Sequence, residues 1–164
     1  MKTKLILVEG LPGSGKSTTA GLIHELLTKN QVPAELYMEG NLDHPADYEG
    51  VAYFKEEEFE ELLKKSGSLS KVFQDRVTVK RGRHLLPYMK IKNELGSSFP
   101  DELLAAISKK DVYELPMEEN IAVISESWEE FATQAAAEEK VYIFECCFIQ
   151  NPVTVGMVNY GASD

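Results

Sequence analysis

Gly10-Leu11-Pro12-Gly13-Ser14-Gly15-Lys16-Ser17 satisfies the pattern G-x-x-x-x-G-K-[ST] at every fixed position. It is the pattern of a backbone loop that cradles nucleotide phosphates. The flanks agree with it. Lys4-Leu5-Ile6-Leu7-Val8 reads as a buried strand, and residues 17–29 carry Leu22, Ile23, Leu26 and Leu27 at the spacing of one helix face. In a strand, glycine loop, helix sequence the amides of Gly13, Ser14, Gly15 and Lys16 converge on a β-phosphate at the positive end of the helix. Glycine is required because a Cβ would hold the backbone away from the anion and forbid the positive φ values of such a loop. Lys16 is then expected to bridge the β- and γ-phosphates, and the Ser17 hydroxyl to ligate Mg²⁺. The reading predicts a site for a nucleoside triphosphate.

Composition narrows the rest. A chain of 164 residues fits one domain with a real core. Its formal charge of −10 offers no basic field to nucleic acid or anionic lipid, so neither is an expected partner. A bound polyanion has to be held by local geometry and metal. Cys146 and Cys147, adjacent in an apolar run, read as reduced core residues on opposite faces of a strand. The start Met1-Lys2-Thr3-Lys4 leads through a short apolar stretch straight into the loop, unlike a secretory signal. No apolar run approaches the ~20 residues of a membrane span. A cytoplasmic protein is expected.

Beyond the loop, helix one ends at Asn30, a plausible cap. Residues 33–38 read as a second strand running into the loop Glu39-Gly40-Asn41-Leu42-Asp43-His44-Pro45. Residues 51–65 read as a second helix with a solvated acidic face and Phe54, Phe59, Leu62 and Leu63 turned inward. A Ser/Gly break follows at residues 66–68. Within 69–98 the apolar residues Val77, Val79, Leu85 and Tyr88 flank Lys80-Arg81-Gly82-Arg83, a hairpin with a charged turn. Then come a short helix near 100–110 and a longer one at 116–138, where Ile121, Ile124, Trp128, Phe131 and Ala135 form the stripe. Val141-Tyr142-Ile143-Phe144 is the third buried strand. The alternation argues for an α/β fold: a parallel sheet with helices on both faces and a hairpin-containing insertion, about 69–98, between strands two and three. Ligand is expected beyond the carboxyl ends of the strands, where the loop, Glu39 and Glu145 converge.

Leu11-Pro12-Gly13-Ser14-Gly15-Lys16-Ser17-Thr18 resembles the loop of the P-loop kinases of small molecules, the group of nucleoside, nucleoside-monophosphate and adenylylsulfate kinases. The resemblance implies a three-layer P-loop NTPase fold and transfer of the γ-phosphoryl group of ATP, with Mg²⁺, to a small-molecule acceptor. It makes Glu145 the carboxylate on the magnesium side and Glu39 or Asp43 the base that takes the acceptor proton. The catalytic set is then Lys16, Glu39, Asp43 and Glu145. Gly10, Pro12, Gly13, Ser14, Gly15, Lys16, Ser17 and Thr18 hold nucleotide, Thr18 at the α-phosphate, and Ser17 and Glu145 hold metal. Two features depart from the group: Glu145 is followed by Cys146-Cys147-Phe148, and no arginine occurs after Arg83. Such kinases continue through an arginine-bearing lid and two more strands. A fragment of a longer protein is therefore expected, weak in phosphotransfer, with strand one as an open sheet edge through which two copies associate.

Each site residue has a plainer reading. Glu145 could simply be exposed at a strand end, and Glu39, Asp43 and His44 could be turn formers. His24 reads as structural, and Trp128 and Phe131 as core. The cluster Arg76, Lys80, Arg81, Arg83 and His84 is either a solvated hairpin tip or a grip on phosphate oxygens. Gln150-Asn151-Pro152 follows the third strand closely enough to line the pocket. Two other classes use phosphate loops. A GTP switch needs Asn-Lys-x-Asp, which neither Thr28-Lys29-Asn30-Gln31 nor Lys92-Asn93-Glu94-Leu95 supplies. A motor ATPase, or a nucleotide-binding module without transfer, lacks the kinase chemistry, and the missing Asp-Glu pair after strand three counts against a motor.

Overall fold

The computed structural model describes residues 4–161. The polar start and the last residues of the sequence, 1–3 and 162–164, lie outside the described residues. The elements in chain order are β1 (Leu5–Val8), α1 (Lys16–Lys29), β2 (Ala34–Tyr37), β3 (Ala52–Phe54), α2 (Glu56–Lys65), α3 (Ser70–Arg76), β4 (Thr78–Lys80), β5 (Arg83–Leu86), α4 (Tyr88–Leu95), α5 (Asp101–Ser108), α6 (Met117–Ala137), β6 (Val141–Glu145) and α7 (Gln150–Tyr160). The chain forms two compact units. One runs up to Asp47 and resumes at Ile121; the other is Tyr48–Asn120. The intervening unit is thus wider than the expected insertion at 69–98.

In the first unit β6 lies between β1 and β2, and both pairings are parallel. Strand alternation sends successive side chains to opposite faces, and the two cores follow it. Ile6, Val8, Val141, Ile143 and Leu36 pack with Ala20, Ile23 and Leu27 of α1. Leu5, Leu7, Tyr37, Tyr142 and Phe144 pack with Trp128, Phe131 and Ala135 of α6. Two expected stripes shift. On α1 the inward set is Ala20, Ile23 and Leu27, while Leu22 and Leu26 are 60% and 62% exposed. On α6 Val123, Ser127, Phe131 and Ala135 are buried and Ile121 is exposed. In both helices several apolar residues fit more than one 100° face, and the face that meets a partner decides. The cysteines also differ from expectation: β6 ends at Glu145, and Cys146 turns the chain at φ 69°, so the pair does not span a strand. Both are buried free thiols.

The second unit is built on an antiparallel sheet ordered β3-β5-β4. Residues 52–54, expected in a helix, form β3, because Ala52 and Phe54 are buried on either side of a half-exposed Tyr53. Helix α2 starts only at Glu56, where the Glu58 side chain accepts the Lys55 N–H at 3.0 Å. The expected hairpin is β4–β5, closed by Arg81 (φ 50°) and Gly82 (φ 76°). Two left-handed residues form the turn whose twist suits paired strands. Phe54, Phe59, Phe73, Leu86, Ile91, Phe99 and Ile107 are its core. No helix among the described residues is long and apolar enough to cross a membrane.

Phe144, on the central strand, is the hub of the α6-side core: its ring meets those of Tyr37, His44, Trp128, Phe131 and Tyr142 at centroid distances of 4.2–6.0 Å. Phe144→Ala should lower unfolding free energy by about 3–5 kcal/mol. The check is urea unfolding followed by the fluorescence of Trp128, the chain's one tryptophan. An unshifted midpoint would show that this core does not hold the first unit.

Candidate functional site

Register builds the site. Val8 pairs with Glu145 and Tyr37 with Phe144, so β1, β6 and β2 end level with one another. Glu9, Cys146 and Glu39 are the next residues along that edge. By the alternation that turns Val141 and Ile143 toward α1, Glu145 also faces α1, at its first turn. There the Ser17 hydroxyl donates to Glu145 Oε1 at 2.6 Å, and the Glu39 N–H donates to Oε2 at 3.4 Å. Glu145 is only 3% exposed. It is therefore not a carboxylate left in solvent at a strand end.

The loop is shaped as its glycines require. Gly13 and Gly15 sit at φ 77° and 87°, and a Cβ on Gly10 would come within 3.0 Å of Ser14 Oγ. Leu11, Pro12, Gly13, Ser14, Gly15, Ser17 and Thr18 are exposed, whereas the Lys16 stem is buried and its Nζ donates to the Leu11 carbonyl at 3.1 Å. Helix α1 begins at a left-handed Gly15 with no side-chain cap and no acidic residue in its first turn. The start of α7 is treated in the opposite way. The Glu9 carboxylate accepts the N–H groups of Phe148, Ile149 and Gln150 at 3.0, 3.3 and 3.1 Å. One positive helix end is filled by the protein, and the other is left open.

The remaining acidic residues separate. One Glu39 carboxylate oxygen, one Glu145 carboxylate oxygen and the Cys146 sulfur lie within 4.8 Å of one another. Asp43 is not a member of that group; it is exposed, and its N–H donates to Asn41 Oδ1 at 2.9 Å in a local turn. Burial pushes the Cys146 thiol up to about 11, with the neighbouring Glu39 carboxylate adding to the effect. Burial raises the Cys147 thiol still more strongly. Both stay protonated near neutrality. Gln150, at the start of α7, donates through Nε2 to Glu39 Oε1 at 3.5 Å, and its Oε1 is buried without a partner. Asn151 reaches Asp47 Oδ2 at 3.4 Å.

Of the residues picked from the sequence, Lys16, Ser17, Glu39 and Glu145 thus gather at one edge with the loop, and Gln150 joins them. Glu9 was not anticipated. Its position one residue past β1, in the row of Glu39 and Cys146, is the signal that would have found it. The basic cluster belongs to the second unit, where Arg76 forms a two-pronged ion pair with Glu94 at 2.7 and 3.2 Å. That arginine is engaged with a carboxylate rather than held ready for phosphate. Compared with protein-family models, curated proteins and solved structures, the chain matches none of them.

His44 is a structural residue. Its Nδ1 accepts the N–H groups of Ala46 and Asp47 at 3.2 and 2.9 Å, and its ring lies 4.2 Å from that of Phe144. Burial holds the imidazole down to about 4, against an ordinary value of 6.5. The unfolded chain therefore takes up a proton on this ring before the folded one does, and stability is lost as pH falls from about 6.5 toward 4. The loss attributable to this residue is on the order of 3 kcal/mol. His44→Asn keeps an acceptor for the same amides but cannot titrate. Melting temperatures across that window should show a shallower slope for the variant, and equal slopes would remove His44 from the account.

Proposed function

We propose that the chain binds ATP with Mg²⁺ through the loop from Gly10 to Thr18 and transfers the γ-phosphoryl group to a small-molecule acceptor. On this reading the first unit is the nucleotide half of a three-layer P-loop NTPase fold, working in the cytoplasm. The observation that carries the proposal is the contact between Ser17 and Glu145: a loop hydroxyl and a buried strand-end carboxylate 2.6 Å apart, beside an uncapped helix start. A carboxylate buried to this degree needs compensation, and one hydroxyl and one long amide contact supply part of it. Hard oxygen donors of this kind suit Mg²⁺, which keeps several waters and takes one or two protein ligands. Ser17 and Glu145 would hold that ion, and it would neutralise charge on the phosphates.

The chain's own groups then take defined roles. The loop amides and the α1 dipole hold the β-phosphate, and Lys16 exchanges the Leu11 carbonyl for the β- and γ-phosphate oxygens. Thr18 would touch the α-phosphate. Of the two candidate bases, Glu39 is favoured over Asp43 because it shares the cluster with Glu145. The acceptor oxygen forms a bond to the γ-phosphorus as the bond from that phosphorus to the bridging oxygen breaks. ADP leaves with the electron pair, and the acceptor proton passes to Glu39. Catalysis is positioning and charge neutralisation.

Two measurements test this proposal. Lys16→Ala should weaken ATP-Mg²⁺ binding by about 2 kcal/mol or more, roughly thirtyfold in Kd by calorimetric titration. Equal affinities for variant and parent would sink the nucleotide assignment. Glu145→Gln should leave ATP binding in EDTA unchanged and abolish most of the gain that Mg²⁺ gives. A variant with a normal Mg²⁺ gain and a melting temperature lowered by several degrees would make Glu145 purely structural.

A further inference from the structure

We infer that the open edge of β1 is the contact between two copies of this chain, paired antiparallel about a twofold axis at Ile6. Among the described residues β1 pairs with β6 alone, so its other side is an edge of the sheet. Hydrogen bonds fix which backbone groups face out. The Tyr142 N–H donates to the Lys4 carbonyl at 2.8 Å and the Cys146 N–H to the Val8 carbonyl at 3.2 Å. Lys4, Ile6 and Val8 therefore turn their backbone groups to β6, and Leu5 and Leu7 turn theirs outward. An antiparallel second copy satisfies them. Leu5 and Leu7 of one copy exchange N–H and C=O bonds with Leu7 and Leu5 of the other, and Ile6 stands opposite its counterpart. Both copies use the same surface, so the pairing closes at two. Moving the axis to Leu7 would draw Glu9 and Gly10 into the ladder, where the chain has already left the strand for the loop.

The same reasoning disfavours the other edge of this sheet. The Val141 N–H donates to the Pro33 carbonyl at 2.9 Å, so Ala34 and Leu36 are the residues of β2 that face out. Self-pairing there would set two Glu35 side chains directly opposite, and like charges so placed repel. Exposed edges are ordinarily guarded by charge or proline. Pro33 precedes β2 and Glu35 lies within it, whereas Leu5-Ile6-Leu7-Val8 carries neither device. All four residues of β1 are half-buried, while those of β6 are buried throughout. The neighbouring helix is apolar on the same side. In a right-handed β1-α1-β2 crossover, the flank of α1 that carries Leu22 and Leu26 turns toward the β1 edge. These are the two leucines of α1 that are 60% and 62% exposed. The contact is small, so the dimer should be reversible, with a Kd on the order of micromolar.

Sedimentation equilibrium of the full chain from about 1 to about 200 µM should show monomer and dimer and no larger species. Leu5→Pro removes an outward N–H at the first position of an edge strand, where proline is tolerated. It should raise the dimer Kd about tenfold or more, with Trp128 fluorescence unchanged. Cross-linking tests the register and does not depend on that variant folding. Ile6→Cys sets two thiols opposite one another at a Cα separation of about 4.5 Å, and mild oxidation should join the copies. The two thiols of Leu7→Cys lie beyond the roughly 7 Å limit for a disulfide and should stay free. Cys146 and Cys147 are buried and do not compete. Dimer formation with cross-linking at Ile6 and not at Leu7 supports the pairing. A chain that stays monomeric at about 200 µM, or one that grows into larger species, overturns it. So does cross-linking at Leu7 in place of Ile6. A folded Leu5→Pro variant that dimerises as before also overturns it and moves the contact to another surface, such as the exposed Val153 and Met157 of α7.

Discussion

A carboxylate 3% exposed at the end of the central strand is the constraint around which the first unit is organised. Glu145 cannot turn away from α1, because Val141 and Ile143 on the same face are fixed in the core with Ala20, Ile23 and Leu27. A buried carboxylate has to be met by donors, and the two it receives come from different elements. Ser17 brings the first turn of α1 to it, and the Glu39 amide brings the end of β2. The contact that satisfies one charge therefore also fixes where the glycine loop stands against the strand ends. This is also why the site survives the small size of the sheet: a parallel trio with level ends is enough to set the loop, the carboxylate and the following turn in one row.

The two helix starts at that edge show how the same physics is used in opposite ways. Both α1 and α7 begin there, and each presents a cluster of unpaired amides. At α7 Glu9 occupies them. At α1 no side chain does, and the first turn carries no acid. A fold seeking stability alone gains by capping both, since a cap contributes about 1 kcal/mol. Leaving the glycine-loop end bare keeps a positive, donor-rich spot exposed to solvent within an edge that is otherwise acidic.

What the sequence made legible was whatever a local pattern determines. The loop, β1, α1 and β6 follow from an eight-residue pattern with four fixed positions and from uninterrupted apolar runs, and the β4–β5 hairpin from Arg81-Gly82, where few dipeptides suit a tight left-handed turn. The parts that went astray are those that tertiary contact decides. Residues 52–54 are too few to show a period, and an acidic helix follows them at once, so β3 merged with α2. The helices α3 and α4, of seven and eight residues on either side of the hairpin, span about two turns each and show no clear helical period. Leu22, Leu26 and Ile121 have the right spacing for a core and face away from it. In the site, Lys16, Ser17, Glu39 and Glu145 could be read from their places after strands. Glu9 was legible only as a place after β1, since its role depends on α7 starting opposite it, and Asp43, four residues farther along the loop than Glu39, stays outside the cluster that holds Glu145.

The turn after β6 ties these features together at some local cost. Cys146 occupies a left-handed conformation that a residue with a Cβ adopts reluctantly. An extended residue there would carry β6 onward instead of turning the chain toward α7, and Gln150 would lose its place beside Glu39. The turn is held by the Cys146 N–H on the Val8 carbonyl at 3.2 Å, the Asn151 N–H on the Cys146 carbonyl at 3.2 Å, and the burial of both thiols. A glycine at this position would relieve the backbone but would remove the sulfur that packs against the Glu39 and Glu145 carboxylates. The strain is thus located where the chain sets a weakly polar, protonated group beside two acids. A third carboxylate at this point would add to the repulsion, and a larger side chain would part them. The thiol instead adds no charge beside them, while Glu145 keeps its bond from Ser17 and Glu39 its contact with Gln150.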